Sequence, residues 1–296
     1  MKANALAKLA FARYDARETA EKPWERFMAF VQAVRTALFY FVFIGQTVVI
    51  AFVVGCIALV SGRTRVSWAM AVFWCRSNLT YLRVLTGVKT RVTGEENIPP
   101  GGCIIAAKHQ SDWDVFAIFP HTGRPAYIVK KELMRIPFFG WAARSLDCIE
   151  VDRKRGAEAI PEMMRQAHAA IDRGCRIVIF PEGTRKAPLA PADYRQGIVR
   201  LYLELGVPVV PVALNSGLFW GRNSLVIWPG TAEAEFLPPI EAGLPADVFL
   251  DRLKRAIETE SNALILKADD NGLSRPVDPQ LRERLDALRR ERAPAP

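Results

Sequence analysis

A run of 24 residues without a charged side chain, from Ala37 to Val60, limits how this chain can fold. Gln46 and Thr47 are its only clearly polar members. A helix rises about 1.5 Å per residue, so the run is long enough to cross the roughly 30 Å hydrocarbon core of a bilayer. Helices without a polar face over this length are mostly embedded in membranes, although a buried core helix would have the same composition. The run is too long, and starts too far along the chain, for a cleaved signal peptide.

A second apolar segment, 66–85, differs from the first in composition. It combines Trp68 and Trp74 with two isolated cations, Arg76 and Arg83. That mixture is typical of a helix that lies at a membrane interface. The two segments together predict either a spanning helix followed by a surface helix or a hairpin within one leaflet. Because basic residues flank the first run on both sides, the positive-inside rule does not orient it.

The charge balance of the chain points to an anionic partner. The 296 residues carry a formal net charge of +9, which suits nucleic acid, an anionic membrane or phosphorylated substrates. No Lys- and Arg-rich run is interleaved with aromatic residues, so we do not expect nucleic acid to bind. The five widely spaced cysteines contain no CxxC pair. They predict reduced thiols rather than disulfides or a zinc site, and hence a reducing compartment such as the cytoplasm.

From residue 87 onward, short apolar runs bounded by turn residues alternate with helical patterns. Strands are predicted at 88–92, 103–107, 126–129, 148–151, 176–180, 209–213 and 224–228, and helices at 157–173, 197–205 and 246–268. This alternation indicates an α/β fold with a mixed, largely parallel sheet flanked by helices. The predicted regions are therefore an N-terminal membrane-anchoring helical region at 1–86, a catalytic domain at 87–268, and a polar tail at 269–296. The tail is expected to be a mobile segment or a surface helix without an assigned function.

The first motif with chemical meaning is Lys108–Asp114, which reads KHQSDWD and directly follows a predicted strand. Ser111 is a good N-cap and Asp114 lies three residues later, as in a capping box that starts a helix. The same spacing lets a carboxylate in the first helical turn face His109, fix its tautomer and stabilise the imidazolium. The other ring nitrogen would then accept a proton from a hydroxyl. These residues alone leave both interpretations open, and Asp112 is a second candidate partner.

The second motif is Phe180–Arg185, which reads FPEGTR and also follows a predicted strand. A strand that ends in a Pro-Glu-Gly turn places polar residues at the carboxyl edge of the sheet, where open α/β sheets bind ligands. Gly183 allows close approach of the backbone, and Arg185 supplies a forked donor for phosphate. An ordinary turn with a surface arginine is the alternative, and this block alone does not exclude it.

Taken together, the two motifs resemble the glycerolipid acyltransferase family, in particular its 1-acylglycerol-3-phosphate acyltransferases. The family is marked by a His, four residues and an Asp, here His109 and Asp114, and by the block Phe180–Arg185. Two further blocks match in the same order, within 130–140 and at 207–213. The resemblance covers about residues 87–217. Lys108 departs from the pattern, because family members often carry Asn there, and this departure leaves the identity of the acceptor open.

The resemblance implies an acyltransferase domain at 87–268 and a membrane-bound enzyme. Such an enzyme moves a fatty acyl group from acyl-CoA or acyl-carrier protein to the sn-2 hydroxyl of 1-acylglycerol-3-phosphate, which gives phosphatidic acid for phospholipid synthesis. His109 would be the base and Asp114 its orienting partner, without an acyl-enzyme, a cofactor or a metal. The substrate-binding residues predicted from the blocks and their neighbouring cations are Lys130, Glu182, Gly183, Thr184, Arg185 and Arg195. We expect the domain to face the cytoplasm from the inner (cytoplasmic) membrane.

Three other functions remain open at this point. Acylation of another lysolipid, such as a lyso-aminolipid, would use the same base and differ only in its contacts to the acceptor. A metal-dependent hydrolase built on His109 belongs to a different class, but no second histidine lies near Asp112 or Asp114, and metal hydrolases usually need several ligands. A non-catalytic lipid-binding membrane protein would have no use for an intact His–Asp pair.

Overall fold

A computed structural model describes residues 23–292. Apart from short 3₁₀ and π turns, its elements in chain order are α1 (Pro23–Ser61), α2 (Arg65–Tyr81), β1 (Val88–Thr93), β2 (Ile104–Ala107), α3 (Trp113–Ile118), β3 (Pro125–Lys130), α4 (Phe139–Ser145), β4 (Ile149–Val151), α5 (Ile160–Asp172), β5 (Arg176–Ile179), α6 (Gln196–Leu205), β6 (Val209–Leu214), β7 (Gly230–Phe236), α7 (Ala246–Asp270) and α8 (Pro279–Arg292). The first 22 residues of the predicted membrane region and the last four of the tail lie outside the described residues.

Within residues 23–292, the strands form one sheet in the order β1-β7-β6-β2-β5-β3-β4. β1 and β7 are parallel to each other, and β7 is antiparallel to β6. All the other neighbouring strands are parallel. The predicted mixed, largely parallel sheet flanked by helices is therefore confirmed. The predicted helices at 157–173, 197–205 and 246–268 correspond to α5, α6 and α7.

Side chains of the central strand β2 alternate between two hydrophobic cores, one on each face of the sheet. Ile105 packs with Phe116 into the core beneath α1, α2 and α3. Ile104 packs with Leu201 into the opposite core, beneath α5 and α6. All of β2 is buried, as expected for a parallel strand that helices cover on both faces.

The two N-terminal helices form an antiparallel hairpin. The polar residues of the apolar run explain how it is held: Gln46 Nε2 donates to Ser77 Oγ at 2.6 Å, and Trp74 Nε1 donates to Thr47 Oγ1 at 2.9 Å. The other face of α1 exposes large apolar side chains, among them Phe41 at 78%. Only 11% of its most apolar 18-residue window is buried. The run is therefore not a buried core helix, and it is long and apolar enough to be a candidate membrane segment.

The hairpin is tied to the sheet domain at both ends. Near the start of α1, Gln32 Nε2 donates to the carbonyl oxygen of Ile227 at 2.5 Å, and the Ile227 N–H donates to Thr36 Oγ1 at 3.1 Å. At the tip, Arg63 Nε lies 2.6 Å from Asp147 Oδ1. These attachment points are about 45 Å apart along the helix. The hairpin therefore lies along the domain rather than projecting from it.

The predicted strand 224–228 is wrong. This segment is irregular, and its backbone bonds to α1: the Ile227 N–H donates to Thr36 Oγ1 at 3.1 Å, and Gln32 Nε2 donates to the Ile227 carbonyl at 2.5 Å. Of its apolar residues, Ile227 is buried beneath the hairpin, whereas Leu225 is 86% exposed. The last strand is instead β7, whose sequence GTAEAEF is poor in residues that favour strands. Pairing with β1 and β6 makes it a strand.

The polar tail is ordered in the described part of the chain. Its helix α8 buries Leu281 and Leu285 in the core that also holds Phe116. Before it, Arg275 Nη1 donates to the Leu218 carbonyl at 3.3 Å. The tail thus docks beside the segment that follows β6, although its sequence is mostly polar.

The five cysteines are free thiols, as predicted. Cys103 and Cys175 are buried in the cores of the sheet. Burial raises the pKa of each of these thiols to about 11. They are packed as small apolar groups and are poor nucleophiles at neutral pH.

Gly94 sets how closely β1 approaches β7. It has a φ of +80°, and a Cβ there would lie 2.0 Å from the Phe236 carbonyl oxygen. We expect Gly94→Ala to lower the free energy of unfolding by about 2–5 kcal/mol, because left-handed strain and a backbone clash add together. Gly174→Ala is the control, since Gly174 has a φ of +74° and open space around it. It should cost only about 1–2 kcal/mol. Denaturant unfolding in detergent measures both, and equal losses would contradict the interpretation.

Candidate active site

Four neighbouring parallel strands deliver polar side chains to one edge of the sheet. Ser216 follows β6, His109 follows β2, Arg185 follows β5, and Lys130 is the last residue of β3. The carboxyl ends of parallel strands meet at the same edge, and ligands of open α/β sheets bind there. The topology therefore brings together both sequence motifs and the block at Lys130.

His109 faces Asp114. Its Nδ1 lies 2.9 Å from Asp114 Oδ2, and its ring stacks on Phe180 with the ring centroids 3.9 Å apart. The imidazole is 17% exposed, whereas the carboxylate is fully buried. With a proton on Nδ1 donated to the carboxylate, Nε2 becomes the acceptor nitrogen. No described residue hydrogen-bonds to Nε2, and His109 lines a large cavity.

The Asp114 carboxylate is held from several sides. Oδ2 also accepts the backbone N–H of Gln110 at 2.7 Å and that of Ser111 at 2.9 Å. Oδ1 accepts the Ser216 hydroxyl at 2.5 Å. Asp114 therefore closes the turn before α3 and also faces His109. The prediction of Ser111 as N-cap is wrong, because Asp112 precedes the helix and makes no side-chain capping bond, while Ser111 Oγ accepts the Trp113 N–H at 3.2 Å. Ser216 was missed, because a lone Ser after a strand carries no pattern until β6 is known to lie beside β2.

Asp112, the second candidate partner, pairs with Arg185 rather than with His109. Its Oδ2 lies 2.6 Å from Arg185 Nη1, and both side chains are partly exposed. Arg222 Nη1 donates to the Arg185 carbonyl at 3.4 Å. Arg222 lies in the irregular segment after β6 and was also missed by the sequence reasoning. A single cation in an irregular segment gives no sequence signal.

Glu182 does not take the position expected of a residue that contacts an acceptor. Its carboxylate is fully buried; Oε2 accepts the His109 backbone N–H at 2.9 Å, and Oε1 lies 3.1 Å from Lys108 Nζ. Burial raises the pKa of the Glu182 carboxyl, and the Lys108 charge and the His109 N–H oppose that rise. Gly183 has a φ of +67° and donates its N–H to the Phe180 carbonyl at 2.9 Å, which closes the turn.

A cavity of about 1160 Å³ opens beside His109, between the hairpin and the sheet. Its apolar walls include Phe43, Ala51 and Val54 of α1, Phe116 and Phe119 near α3, and Leu133, Phe139, Leu146 and Met163. Its polar lining includes Asp112, Lys130, Thr184, Arg185, Arg195 and Arg222. All six predicted binding residues, including Glu182 and Gly183, therefore line one cavity. Arg195 also lies 3.3 Å from Asp193. A mostly apolar cavity with a few converging charges suits an amphiphilic ligand.

The described residues offer no ligand set for a metal. Among residues 23–292, no group of three or more His, Cys, Asp or Glu side chains is placed to hold an ion. Asp112 pairs with Arg185 rather than with His109. The alternative of a metal-dependent hydrolase therefore gains no support from the site.

The fold has a solved counterpart. The structure matches that of the 1-acyl-sn-glycerophosphate (LPA) acyltransferase, PlsC, from Thermotoga maritima with a TM-score of 0.65 and 22% sequence identity, over 81% of this chain and 97% of that chain. This likeness shows a shared fold.

Sequence comparisons add the family. The pattern of the family described as Acyltransferase matches residues 89–215. The chain is 33% identical over 220 residues to the 1-acyl-sn-glycerol-3-phosphate acyltransferase of Pseudomonas aeruginosa. This alignment covers 73% of this chain and 84% of that protein. It is 29% identical over 191 residues to human 1-acyl-sn-glycerol-3-phosphate acyltransferase alpha, or 62% of this chain and 68% of that protein. The chain belongs to the acyltransferase family, as its motifs indicated.

Replacing Ser216 tests whether its hydroxyl helps to hold the Asp114 carboxylate in the site. In Ser216→Ala, the buried Asp114 carboxylate loses one donor but keeps the other three contacts. We expect about 1.5–3 kcal/mol of lost stability, because the bond is to a charged group. We also expect loss of acyl transfer through a looser His109. Ser261→Ala is the control, because Ser261 is equally buried and accepts the Leu214 N–H outside the site. Ser261→Ala should lower stability without changing turnover. Thermal melts and turnover numbers compare the two variants, and equal losses of turnover in both would contradict the role of Ser216 in holding the site.

Proposed function

We propose that this chain is a 1-acylglycerol-3-phosphate O-acyltransferase that makes phosphatidic acid. The observation that carries the proposal is the His109–Asp114 pair at the edge of an apolar cavity, with cations beside it. The names of its relatives from Pseudomonas aeruginosa and human support the choice of acceptor. A thioester donor, acyl-CoA or acyl-carrier protein, would supply the acyl group.

His109 is the proposed general base. Its Nε2 takes the proton of the acceptor sn-2 hydroxyl while the hydroxyl oxygen attacks the thioester carbonyl. The tetrahedral intermediate then collapses, the carbon–sulfur bond breaks, and His109 returns its proton to the leaving thiolate. Asp114 holds the ring by Nδ1 and stabilises the imidazolium, as in hydrolase triads. The acyl group passes directly between the substrates, so no acyl-enzyme is needed.

The cations of the cavity suit the acceptor phosphate. Lys130, Arg185 and Arg222 all line it, and the nearby negative charge of Asp112 already pairs with Arg185. Arg185 lies next to His109 in the cavity lining and presents a forked donor, which fits phosphate well. One such bond contributes about 1.5–3 kcal/mol. The exposed Arg195 would add to the field at the mouth rather than grip the phosphate, because its nearest acid is Asp193.

The apolar part of the cavity suits fatty acyl chains. Phe43 and Val54 of the hairpin form one wall, and Phe116 forms another. Each methylene removed from water there contributes about 0.8 kcal/mol. Phe139 of α4 also lines this part of the cavity.

We propose that the hairpin lies in one leaflet of the cytoplasmic membrane, with the catalytic domain in the cytoplasm. Its outer face is apolar, and both of its ends are held by the same domain, through Gln32 and Arg63. A helix that crossed the roughly 30 Å hydrocarbon core would place those ends on opposite sides of the membrane. Asp147, the partner of Arg63, is fully buried in the domain, so the tip stays on the domain's side. This favours the hairpin over the spanning alternative.

Replacing either member of the pair should abolish transfer. We expect His109→Ala and Asp114→Ala to lower turnover by about 10²–10⁴-fold, the range of general acid–base catalysis. The assay follows labelled acyl-CoA or acyl-carrier protein with lysophosphatidate in detergent or vesicles. His121→Ala is the matched control, because His121 Nδ1 also pairs with a carboxylate, Glu95 Oε1 at 2.8 Å, outside the cavity. It should retain turnover.

The same assay discriminates among the alternatives. Transfer to a lyso-aminolipid but not to lysophosphatidate would reject the proposed acceptor and keep the chemistry. Thioester hydrolysis that does not depend on any acceptor would reject acyl transfer. Loss of activity in EDTA that added metal restores would favour the metal-dependent hydrolase.

The leaflet arrangement predicts a labelling pattern. Single cysteines introduced at Trp24 and Ser61 mark the two ends of α1, and one at the exposed Glu158 marks the domain. We expect a charged, impermeant maleimide to label all three in sealed inside-out vesicles and none in right-side-out vesicles. Mass spectrometry separates these sites from the half-buried native thiols. Labelling of Trp24→Cys and Ser61→Cys from opposite sides would mean that α1 spans the bilayer.

A further inference from the structure

Lys108, the residue that departs from the family pattern, is among the most buried side chains of the protein. It is 1% exposed, and its Nζ lies 2.7 Å from both carboxylate oxygens of Glu258 on α7. The same ammonium lies 3.1 Å from Glu182 Oε1. Successive residues at the end of a strand point to opposite sides, so Lys108 points towards α7 while His109 points into the cavity. Lys108 is therefore not a group that meets substrate.

The contacts of Lys108 form an unbroken path from α7 to the backbone of His109. Lys108 Nζ donates to both oxygens of Glu258 and forms an ion pair with Oε1 of Glu182, and Oε2 of Glu182 accepts the His109 N–H at 2.9 Å. At the far end, the Tyr194 hydroxyl donates to Glu258 Oε1 at 2.9 Å. The segment before His109 is also fixed, because the Lys108 N–H donates to the Val212 carbonyl at 3.0 Å.

The charges make Lys108 the member on which this path depends. Two carboxylates lie within 3.1 Å of one ammonium, and Glu182 has no exposed surface. Without the cation, Glu182 and Glu258 would be two neighbouring carboxylates in a site of low polarity. Burial and their mutual repulsion would disfavour the charged form of each. Glu182 would then turn away or take up a proton. In either case its hold on the His109 N–H would change.

We propose that Lys108 is a positioning residue for His109, acting through Glu182 and anchored to α7 by Glu258. The proposal rests on the proposed role of His109 as base. It accounts for the lysine at this position together with Glu258, because a buried ammonium needs an acidic partner and α7 supplies one. It also gives Glu182 a role in holding the base rather than in contacting the acceptor.

The test compares three variants in the full-length enzyme. Lys108→Met keeps the length of the side chain and removes its charge. We expect kcat to fall by about 10²-fold, the effect of a misplaced catalytic group, with both KM values within about twofold. Glu182→Gln keeps an oxygen for the His109 N–H but needs no cation. In that background, adding Lys108→Met should lower kcat less than about threefold, because the charge that Lys108 neutralised is gone.

Lys267→Met is the matched control. Lys267 also joins α7 to the sheet through a single carboxylate, Glu233 Oε2 at 2.9 Å, away from His109. Its removal should leave kcat within about twofold. Thermal melts of all variants report folding separately. If Lys108→Met does not fold, Glu258→Gln is the deciding variant, because it weakens the contact that anchors Lys108 to α7 and keeps the Lys108–Glu182 pair. A fall in kcat at constant KM in this variant supports the proposal.

Three outcomes would overturn the proposal. One is a Lys108→Met enzyme that melts lower but turns over normally, which would make the residue purely structural. The second is a rise in the acceptor KM with kcat unchanged, which would place Lys108 or Glu182 on the substrate. The third is unchanged kcat in Glu258→Gln where Lys108→Met does not fold. Retention of activity in His109→Ala would instead reject the proposed function itself, so the two failures are distinguishable.

Discussion

Four donors converge on the buried carboxylate of Asp114: the His109 ring, the Gln110 and Ser111 backbone amides, and the Ser216 hydroxyl. The amides belong to the turn after β2, and the hydroxyl comes from the end of β6, so one side chain joins two strands and the start of α3. A buried carboxylate is costly unless its oxygens are satisfied, and here every donor also aligns the histidine. Because the same bonds close the turn and orient the ring, the fold and the site cannot be separated at this residue.

The hairpin also contributes directly to the candidate site. Its outer face is apolar and exposed, and its inner face forms a wall of the cavity that opens beside His109. Gln46 and Thr47 interrupt the apolar run only where they bond to α2. The segment that is proposed to lie in the membrane is therefore also part of the cavity wall. This arrangement suits substrates that are themselves amphiphiles.

Much of the fold was predictable because its pattern is local. Buried parallel strands such as β2 are continuous apolar runs between turns, and amphipathic helices such as α5 repeat with helical period. Prediction failed where neighbours decide. The apolar segment 224–228 is not a strand because the backbone of Ile227 bonds to α1, whereas the Ala- and Glu-rich β7 is a strand because β1 and β6 flank it. Docking of the mostly polar α8 through Leu281 and Leu285 was unpredictable for the same reason.

The sequence by itself determined the chemistry available: a histidine and a carboxylate five residues apart, an FPEGTR turn after a strand, and an apolar segment before them. Spacing within a turn fixes such contacts locally. Only the tertiary structure decided which acid meets which partner. Asp112 pairs with Arg185 73 residues away, Ser216 reaches Asp114 across 102 residues, and Glu258 reaches Lys108 across 150. Those partners depend on which strands and helices lie side by side, and local spacing carries no information about that packing.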